Sequence, residues 1–482
     1  MALLPNHLRI VTAAALFDGH DAAINIMRRI LQRKGVEVIH LGHNRSVSEI
    51  VECALEEDAQ AVAITSYQGG HMEFFRYMRD LLDENGGRHV LLFGGGGGTI
   101  LPGEIEDLHR YGINRIYSPD DGRRMGLEGM IEDLLDSCKK AMAGQAAGPK
   151  PQFPASAQQP ASNSFALGEW TDILTIARAI SLAENGEDYA PLVEKLARGS
   201  KRPGPQNNKA PVLGITGTGG AGKSSVSDEI ARRFLRRFSD KTMAVLSVDP
   251  TKKKSGGALL GDRIRMNAIH HPRAYMRSMA TRDSDRALSP HVGDAIDICQ
   301  AAGFDFIILE SAGVGQSDAS ILDFCDLSLY VMTPEYGAPS QLEKINMLDY
   351  ADLIAINKFD KSGALDALAD VRKQFRRNHN RFAEADEELP VLATMASQFN
   401  DPGMNRLFDQ IARLADLNDG STMPPAVSQA APAGPQLMPS SRVRYLSEVA
   451  TGIRQYDQLV RDQAAIASKL YQLQGTLAIF SE

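Results

Sequence analysis

A glycine-rich run between a predicted strand and a predicted helix carries the clearest chemical signal in the chain. Residues 217–225 read GTGGAGKSS, which fits the pattern G-x-x-x-x-G-K-[ST]. The backbone N–H groups of such a loop close around phosphate oxygens, and the start of the next helix adds a favourable dipole. We predict that Lys223 contacts the β- and γ-phosphates and that Ser224 binds Mg²⁺. The phosphate-binding residues are then Gly220, Ala221, Gly222, Lys223, Ser224 and Ser225.

A four-residue motif at the end of a later predicted strand specifies the base of the nucleotide. Asn357, Lys358 and Asp360 fit the pattern N-K-x-D. The Asp360 carboxylate can accept hydrogen bonds from the two N–H groups on the edge of guanine. The edge of adenine would leave this carboxylate repelled and unpaired. The sequence therefore predicts GTP as the nucleotide.

Carboxylates near the ends of predicted strands indicate a site for a hard cation with oxygen ligands. They are Asp249, Asp262, which lies in a Gly-rich loop predicted to be mobile, and Glu310. Glu310 opens the run ESAGVGQ, and either Glu310 or Gln316 is predicted to align the attacking water. Arg265 is predicted to neutralise phosphate charge in cis, with a surface ion pair to Asp262 as the alternative.

These segments resemble the G-protein chaperones of adenosylcobalamin-dependent mutases. The resemblance spans about residues 165–415 and rests on the runs DPTKKKSGGALLGDRIRM, ESAGVGQSD and PEYGAPSQLEKINMLDYADLIAINKFD. It implies a GTPase domain. It also implies that residues 335–348 form an additional switch that contacts the mutase.

A second group of polar and small residues lies at predicted strand ends near the N-terminus. The run LFDGHD places Asp18 and His20 after the first strand, Ser66 follows the third, and five glycines from Gly94 follow the fourth. Small residues at neighbouring strand ends leave room for a flat ligand with a long tail, because ligands bind parallel sheets at that edge. On residue chemistry alone, a histidine at such a position is more often structural or solvated than a ligand.

This pattern resembles the cobalamin-binding domains in which a histidine replaces the cofactor's own base on cobalt. The resemblance implies that His20 is the lower axial ligand of cobalt and that Asp18 binds its other ring nitrogen. It also implies a pocket for the dimethylbenzimidazole tail lined by Ser66, Gly94, Gly95 and Gly96. The sequence departs from the family signature at Ala23, where a glycine is expected, and at Gln68, where a leucine is expected.

Alternating strand and helix patterns predict an α/β chain with parallel sheets. In the first region the predicted strands are 9–16, 36–41, 61–67, 89–93 and 115–117. The predicted organisation is a flavodoxin-like doubly wound cobalamin-binding domain at 1–143, a linker at 144–164, a P-loop GTPase domain with an N-terminal helical extension at 165–420, a linker at 421–441 and a helical arm at 442–482.

Composition limits the remaining function classes. The net charge of −8 gives no electrostatic footprint for nucleic acid or an anionic membrane surface. The four cysteines are scattered, which argues against a zinc site or a disulfide framework and favours a cytoplasmic location. No apolar run approaches the roughly 20 residues of a membrane span. The arm carries one apolar stripe, typical either of a helix packed on its own domain or of a dimerisation arm, and we expect a homodimer.

The order of the two domains resembles fused isobutyryl-CoA mutases, in which a catalytic (β/α)₈ barrel follows the GTPase. A barrel needs at least about 200 residues, and fewer than 70 follow Ala415. The expectation is a fragment or separate subunit of such a mutase that uses adenosylcobalamin, GTP and Mg²⁺ and acts with a barrel partner. The alternative is a delivery GTPase that serves a separate mutase.

Two other classes fit the residues less well. A GTPase that delivers nickel or cobalt, fused to a regulatory flavodoxin-like domain, would carry clusters of histidine and cysteine, which the sequence lacks. A signalling receiver would need a lysine at the end of the last strand of the first domain. Ser118 and Pro119 occupy that position.

Overall fold

A computed structural model of the chain describes residues 7–147, 172–199, 209–282, 287–313, 319–335, 339–386, 388–417 and 445–480. The chain divides into two compact units, Met1–Pro425 and Ala426–Glu482. Residues 148–164 of the first predicted linker and all of 421–441 lie outside the described residues, whereas 144–147 end a helix.

Five strands and five helices alternate in the first region. The strands are β1 (Arg9–Ala15), β2 (Glu37–Arg45), β3 (Ala61–Thr65), β4 (Leu91–Gly95) and β5 (Arg115–Tyr117). The helices are α1 (Ala22–Arg33), α2 (Val47–Glu56), α3 (His71–Glu84), α4 (Pro102–Tyr111) and α5 (Pro119–Ala147), the last kinked at Gly126. The strands are parallel in the order β5-β4-β3-β1-β2, so the predicted doubly wound fold is confirmed. Every residue of β1 is buried, because helices cover both faces of the sheet.

The second region begins with two helices, α6 (Ile173–Glu184) and α7 (Ala190–Gly199). Its strands are β6 (Val212–Gly217), β7 (Met243–Asp249), β8 (Ala258–Leu260), β9 (Ala274–Ala280), β10 (Phe306–Glu310), β11 (Leu327–Met332), β12 (Leu353–Ile356) and β13 (Val391–Ala393). Its helices are α8 (Lys223–Arg237), α9 (Val292–Ala302), α10 (Met347–Tyr350), α11 (Ala364–His379) and α12 (Pro402–Leu414). Seven of the strands form a parallel sheet in the order β13-β12-β11-β6-β10-β7-β9.

The remaining strand of this region, β8, belongs to the sheet of the first region. It pairs in parallel with β2, with Ala258 opposite Glu37 and Leu260 opposite Ile39. The first sheet therefore has six strands, and its sixth comes from the segment between β7 and β9. The glycines of this segment predict a mobile loop. That prediction is wrong for 258–260, because backbone pairing with an edge strand fixes these residues.

The second unit contributes one described helix, α13 (Tyr445–Phe480), of 36 residues. At 1.5 Å per residue it is roughly 54 Å long. Apolar residues of the predicted stripe, among them Val449, Ile453 and Tyr456, are exposed within the unit. Over the described part of the chain, no helix combines the length and apolar character needed to cross a membrane.

Candidate functional sites

The loop between β6 and α8 has the conformation that the phosphate-binding motif requires. Gly217 and Gly222 have φ angles of 150° and 93°, and a Cβ at Gly217 would overlap the carbonyl oxygen of Val331. Only glycine fits at these two positions without strain. The buried Lys223 folds back over the loop, and its Nζ donates to the Gly217 carbonyl oxygen at 3.2 Å. An ammonium group thus lies inside the turn, where phosphate oxygens would bind.

Two carboxylates converge on the first turn of α8. Ser224 Oγ lies within hydrogen-bonding distance of two carboxylate oxygens, Glu310 Oε1 at 2.9 Å and Asp262 Oδ1 at 3.0 Å, and its single proton can be donated to either. Ser247 Oγ holds the other oxygen of Asp262 at 2.9 Å. Asp249, at the end of β7, accepts from the backbone N–H of Gly261 at 3.0 Å. The structure therefore brings Ser224 together with Glu310 and Asp262. Asp249 contacts the residue that directly precedes Asp262.

Burial and mutual repulsion raise the pKa values of two carboxyl groups at this site, Asp249 and Glu310. Burial, together with the nearby Asp262, raises the pKa of Asp249 to about 8. The same two causes raise the pKa of Glu310 to about 7, although Lys223 opposes the shift. A bound cation relieves such repulsion, because it favours the ionised form of each acid.

The donor set fits a Mg²⁺ site that nucleotide phosphates and water complete. It does not form a metal site made of protein ligands alone. In the described ranges, no three His, Cys, Asp or Glu residues are arranged to hold a metal ion by themselves. Mg²⁺ is usually bound by one or two carboxylates together with nucleotide phosphates and water. Ser224, Asp262 and Glu310 fit that pattern, and their direct ligation of Mg²⁺ stays a prediction.

Two predicted catalytic residues have less defined places. Arg265 is 67% exposed, and its guanidinium lies 3.7 Å from Asp262 Oδ1. It ends the 3-10 turn Asp262–Arg265, within one turn of the acids. Its role in charge neutralisation stays a prediction. Gln316 lies outside the described residues.

The N-K-x-D residues close the nucleotide site from the side of β12. Asn357 Nδ2 donates to the Ala221 carbonyl oxygen at 2.9 Å, and Lys358 Nζ donates to the Gly220 carbonyl oxygen at 2.8 Å. Asp360 is exposed just beyond them. Asn357 and Lys358 therefore fix the phosphate loop. The exposed Asp360 carboxylate remains available for the base.

The second site lies at the carboxyl edge of the first sheet. The His20 side chain is 74% exposed, and its Nδ1 lies 2.8 Å from Oδ1 of the buried Asp18. Asp18 Oδ2 accepts from the Tyr67 backbone N–H at 2.7 Å. The histidine is thus held by one ring nitrogen, and Nε2 is the nitrogen left for a metal. The contact between Asp18 and His20 is the one that their predicted roles require, and ligation of cobalt by His20 stays a prediction.

A cavity of about 220 Å³ opens between the sheet and the helices α1 and α5. Gly94, Gly95 and Gly96 line it, and their part in binding the cofactor's tail stays a prediction. A Cβ on Gly94 would overlap Phe75, which packs in the core on the opposite face of the sheet, so Gly94 allows close packing there. Ser66 is fully buried and does not line this cavity; its backbone carbonyl packs under Gly96. The part of Ser66 in tail binding stays a prediction.

Family models match both halves of the chain. Residues 8–117 match the B12 binding domain. Residues 176–430, more than half of the chain, match the methylmalonyl-CoA mutase-associated GTPase MeaB. The chain belongs to the MeaB family. It combines a MeaB-type GTPase domain with a cobalamin-binding domain, so the predicted ligand classes, GTP and cobalamin, are confirmed.

Relatives of known name share this pair of domains. The fused isobutyryl-CoA mutase of Geobacillus kaustophilus is 50% identical over 479 residues, covering 99% of this chain and 43% of the relative. The protein of the same name from Cupriavidus metallidurans is 50% identical over 476 residues, covering 98% and 42%. The MeaB-family chain thus spans less than half the length of these relatives. Over the part it covers, the resemblance to fused isobutyryl-CoA mutases is confirmed.

The structure adds residues that the motifs did not identify. Buried His71 lies between two loops of the cobalamin-binding domain, with Nδ1 3.1 Å from the Gln68 carbonyl oxygen and Nε2 3.0 Å from Glu104 Oε2. It therefore ties the loop after β3 to the start of α4. In the MeaB-type domain, the Ala396 N–H donates to Asn357 Oδ1 at 3.1 Å. Neither contact has a sequence signal, since each depends on a distant partner.

Proposed function

We propose that GTP hydrolysis on the MeaB-type domain controls the loading and protection of adenosylcobalamin on the first domain. The two domains would serve an acyl-CoA mutase that converts isobutyryl-CoA to n-butyryl-CoA by radical rearrangement. The name of the relatives supports this substrate. The observation that supports control by the nucleotide is β8, which belongs to the cobalamin-binding sheet but lies between two predicted Mg²⁺ ligands.

A continuous set of contacts leads from the cation site to the cobalt ligand. Asp262, bonded to Ser224, follows β8 by two residues, and β8 pairs with β2. At the other end of β2, Asn44 Oδ1 accepts from the backbone N–H of Phe17 at 2.9 Å. Phe17 directly precedes Asp18. A shift of the Gly-rich loop with the γ-phosphate would therefore reach the loop that holds His20.

A second contact couples the same turn to β2. The Arg45 guanidinium donates to the Ile264 carbonyl oxygen at 3.4 Å, and the Ile264 side chain packs against Gly42. Gly42 has a φ of 84°, and a Cβ there would lie 2.6 Å from Ile264 Cδ1. This close packing supports a direct response of β2 to the turn that carries Asp262.

In the proposed GTPase reaction, the chain positions the phosphates and stabilises developing charge. Lys223 and the loop N–H groups hold the β- and γ-phosphates, and Ser224, Asp262 and Glu310 orient the cation. Mg²⁺ would supply charge neutralisation across the β- and γ-phosphates. We assign alignment of the water to Glu310 or Gln316 and added positive charge to Arg265.

In the cobalamin-binding domain, the chain orients the cofactor and shields its tail. Adenosylcobalamin would supply radical chemistry through its cobalt–carbon bond. Asp18 fixes the His20 ring so that Nε2 is free to bind a metal, and the glycine-lined cavity would hold the nucleotide tail of the cofactor. The departure at Ala23 adds one methyl group to the wall of this cavity.

The proposed partner is a (β/α)₈ catalytic domain, in the same longer chain or in a separate subunit. A delivery GTPase acting on a separate mutase is the second candidate, and the match of a whole MeaB-type domain favours it equally. We further propose a cytoplasmic location and a homodimer in which the exposed apolar stripe of α13 takes part. Light scattering of the purified chain, with and without residues 445–480, tests the dimer.

The experiment that tests the proposal is a titration with adenosylcobalamin, followed by its visible spectrum. It is done with wild type and His20→Ala, each with GDP or with a non-hydrolysable GTP analogue. We expect a histidine-ligated spectrum that His20→Ala loses, and a Kd that differs several-fold between the two nucleotides. An equal Kd with both nucleotides would refute control by GTP, and no binding by wild type would refute the cobalamin site.

A further inference from the structure

A buried arginine ties the turn that carries Asp262 to the cobalamin-binding domain. Arg263, the next residue, is 1% exposed, although it belongs to the short 3-10 turn between β8 and β9. Its guanidinium donates to Oε2 of the buried Glu56, at the end of α2, and to the Met276 carbonyl oxygen at 2.7 Å. Buried charges need a partner of opposite sign. The partner of Arg263 therefore comes from the other domain.

A second carboxylate of the same helix end supports this guanidinium. Arg263 Nε lies 3.4 Å from Oε1 of the buried Glu57, which accepts from the Ser278 hydroxyl of β9 at 2.8 Å. Both carboxylates lie outside residues 176–430, the part of the chain that matches the MeaB family. The MeaB-type domain thus takes part of the support for its own turn from the cobalamin-binding domain.

The position of Arg263 determines where Asp262 lies. Neighbouring Cα atoms are fixed about 3.8 Å apart, so a displacement of one residue moves the other. The Met266 N–H donates to the Arg263 carbonyl oxygen at 3.2 Å and keeps the turn tight. From this turn the Asp262 carboxylate reaches Ser224 Oγ at 3.0 Å and Ser247 Oγ at 2.9 Å. One end of the turn is therefore anchored in α2, and the other faces the cation site.

We infer that Glu56 is a positioning residue for the GTPase reaction, which acts through Arg263 to hold Asp262 at the cation site. The inference rests on the proposed role of Asp262 in orienting Mg²⁺. It goes further, because it makes the cation affinity of the MeaB-type domain depend on a carboxylate of the cobalamin-binding domain. Mg²⁺ requires near-ideal octahedral geometry, so a displaced ligand weakens its binding.

The test uses Glu56→Gln, which keeps the shape of the side chain and removes its charge. Wild type and variant, each loaded with a non-hydrolysable GTP analogue, are titrated with Mn²⁺, which prefers the same oxygen ligands as Mg²⁺. The EPR signal of unbound Mn²⁺ gives the Kd. We expect Glu56→Gln to raise this Kd about tenfold, a typical effect of losing a group that holds a metal ligand. The Kd for GDP without a divalent cation should not change.

Two further variants separate positioning from stability. Glu184→Gln breaks the buried ion pairs with Arg277 and Arg9 in the same charge network, and it should keep the wild-type Kd for Mn²⁺. Should Glu56→Gln not fold, the double variant Glu56→Leu with Arg263→Met takes its place, since apolar replacement of a buried ion pair is often neutral for stability. Its Kd for Mn²⁺ should also rise, because apolar side chains form no directed bond that holds the turn.

Hydrogen exchange of the chain without nucleotide or metal gives a second readout. The amide protons of residues 264–268 should exchange several-fold faster in Glu56→Gln than in wild type, because the turn loses its anchor. The amide protons of α8, which the phosphate loop positions, should exchange at the wild-type rate. In Glu184→Gln the turn should keep its wild-type exchange rate.

Each contrary result has a distinct meaning. A wild-type Kd for Mn²⁺ in Glu56→Gln, with a raised Kd in Asp262→Asn, would overturn the inference while the proposed cation site stands. Wild-type values in both variants would refute the proposed role of Asp262 itself. Equal increases in Glu56→Gln and Glu184→Gln would give Glu56 a structural role only, and the inference would fail.

Discussion

At the scale of single residues, one buried carboxylate organises the cobalamin site. Asp18 Oδ1 binds both the backbone N–H and the Nδ1 of His20, and Oδ2 accepts from the Tyr67 N–H. The carboxylate therefore joins the loop after β1 to the loop after β3. Both terminal atoms of the side chain must accept hydrogen bonds. An amide side chain has only one acceptor oxygen and cannot replace the carboxylate.

The first prediction follows from this geometry. We expect Asp18→Asn to raise the Kd for adenosylcobalamin about 10- to 100-fold, the usual effect of losing a group that orients a metal-binding histidine. Titration by visible spectroscopy measures the change. Asp21→Asn, which alters an exposed acid of the same loop, is the matched control and should bind normally. An unchanged Kd for Asp18→Asn would contradict the role of Asp18.

At the scale of elements, Gly257 allows β8 to approach the cobalamin-binding domain. A Cβ at Gly257 would overlap the Gln32 carbonyl oxygen and would lie 2.9 Å from that of Val36. The neighbouring Ala258 N–H donates to the same Val36 oxygen at 3.2 Å. The start of β8 therefore packs directly on the turn between α1 and β2, and no side chain fits between them.

The second prediction concerns this contact. Gly257→Ala should displace β8 from β2 and reduce the difference in cobalamin affinity between the GTP-analogue and GDP states at least threefold. Gly261→Ala is the control, since its Cβ would meet nothing within 4 Å and its φ of −113° suits alanine. The two titrations are compared at saturating nucleotide. If both variants keep the full difference, β8 does not transmit the nucleotide state.

The sequence predicted the elements whose residues follow a simple pattern, and it missed those that depend on distant partners. The predicted strands of the first domain agree with β1 to β5 within a few residues. We missed β8 because it follows a Gly-rich segment typical of a loop, and its partner β2 lies more than 200 residues away in the sequence. We also missed β9, because Arg277 interrupts the apolar run. That arginine is buried and forms an ion pair with Glu184 of α6 at 2.6 Å. No local sequence pattern reveals this contact.

The same distinction applies to the two sites. Lys223 lies where its spacing predicts, because the strand–loop–helix unit positions it locally. The signature pointed to Ser66, whereas Thr65 lines the cavity beside the His20 loop, and the part of Ser66 in tail binding stays a prediction. One residue along a strand reverses the face, so a motif match alone could not assign the cavity side.

At the scale of the whole first unit, a buried network of charges joins the two regions. Arg9 binds Glu37 at 2.9 Å and Glu57 at 2.6 Å, and Arg263 binds Glu56. The groups in contact are four arginines and four glutamates: Arg9, Arg263, Arg277, Arg282, Glu37, Glu56, Glu57 and Glu184. Because the charges balance, loss of one partner leaves an uncompensated buried charge.

The third prediction uses Glu184. Burial alone would raise its pKa, but Arg277, Arg9 and Arg282 outweigh it and lower the pKa from 4.5 to about 2. Its contribution to stability is therefore complete above about pH 4.5 and is lost as the pH falls toward 2. Glu184→Gln should lower the free energy of unfolding by on the order of 3 kcal/mol at pH 7.

Denaturant unfolding of wild type and Glu184→Gln between pH 7 and pH 3 measures this effect. The difference between the two curves should shrink below about pH 4.5, because Glu184 then takes up a proton in the unfolded chain while it stays ionised in the folded chain. Glu194→Gln, an exposed glutamate of the next helix, is the control and should differ little from wild type. A constant difference across the pH range would contradict the assignment.

The pairing of β8 with β2 also has a consequence for biosynthesis. Glu37 leaves the ribosome more than 200 residues before its strand partner Ala258. At about 5–20 residues per second, the edge of β2 remains uncovered for roughly 10–40 s. During that interval the nascent cobalamin-binding domain exposes an open strand edge and lacks three of the arginines that pair with its glutamates. A polypeptide released before residue 258 would keep this edge, and edge-to-edge association of such fragments is the expected outcome.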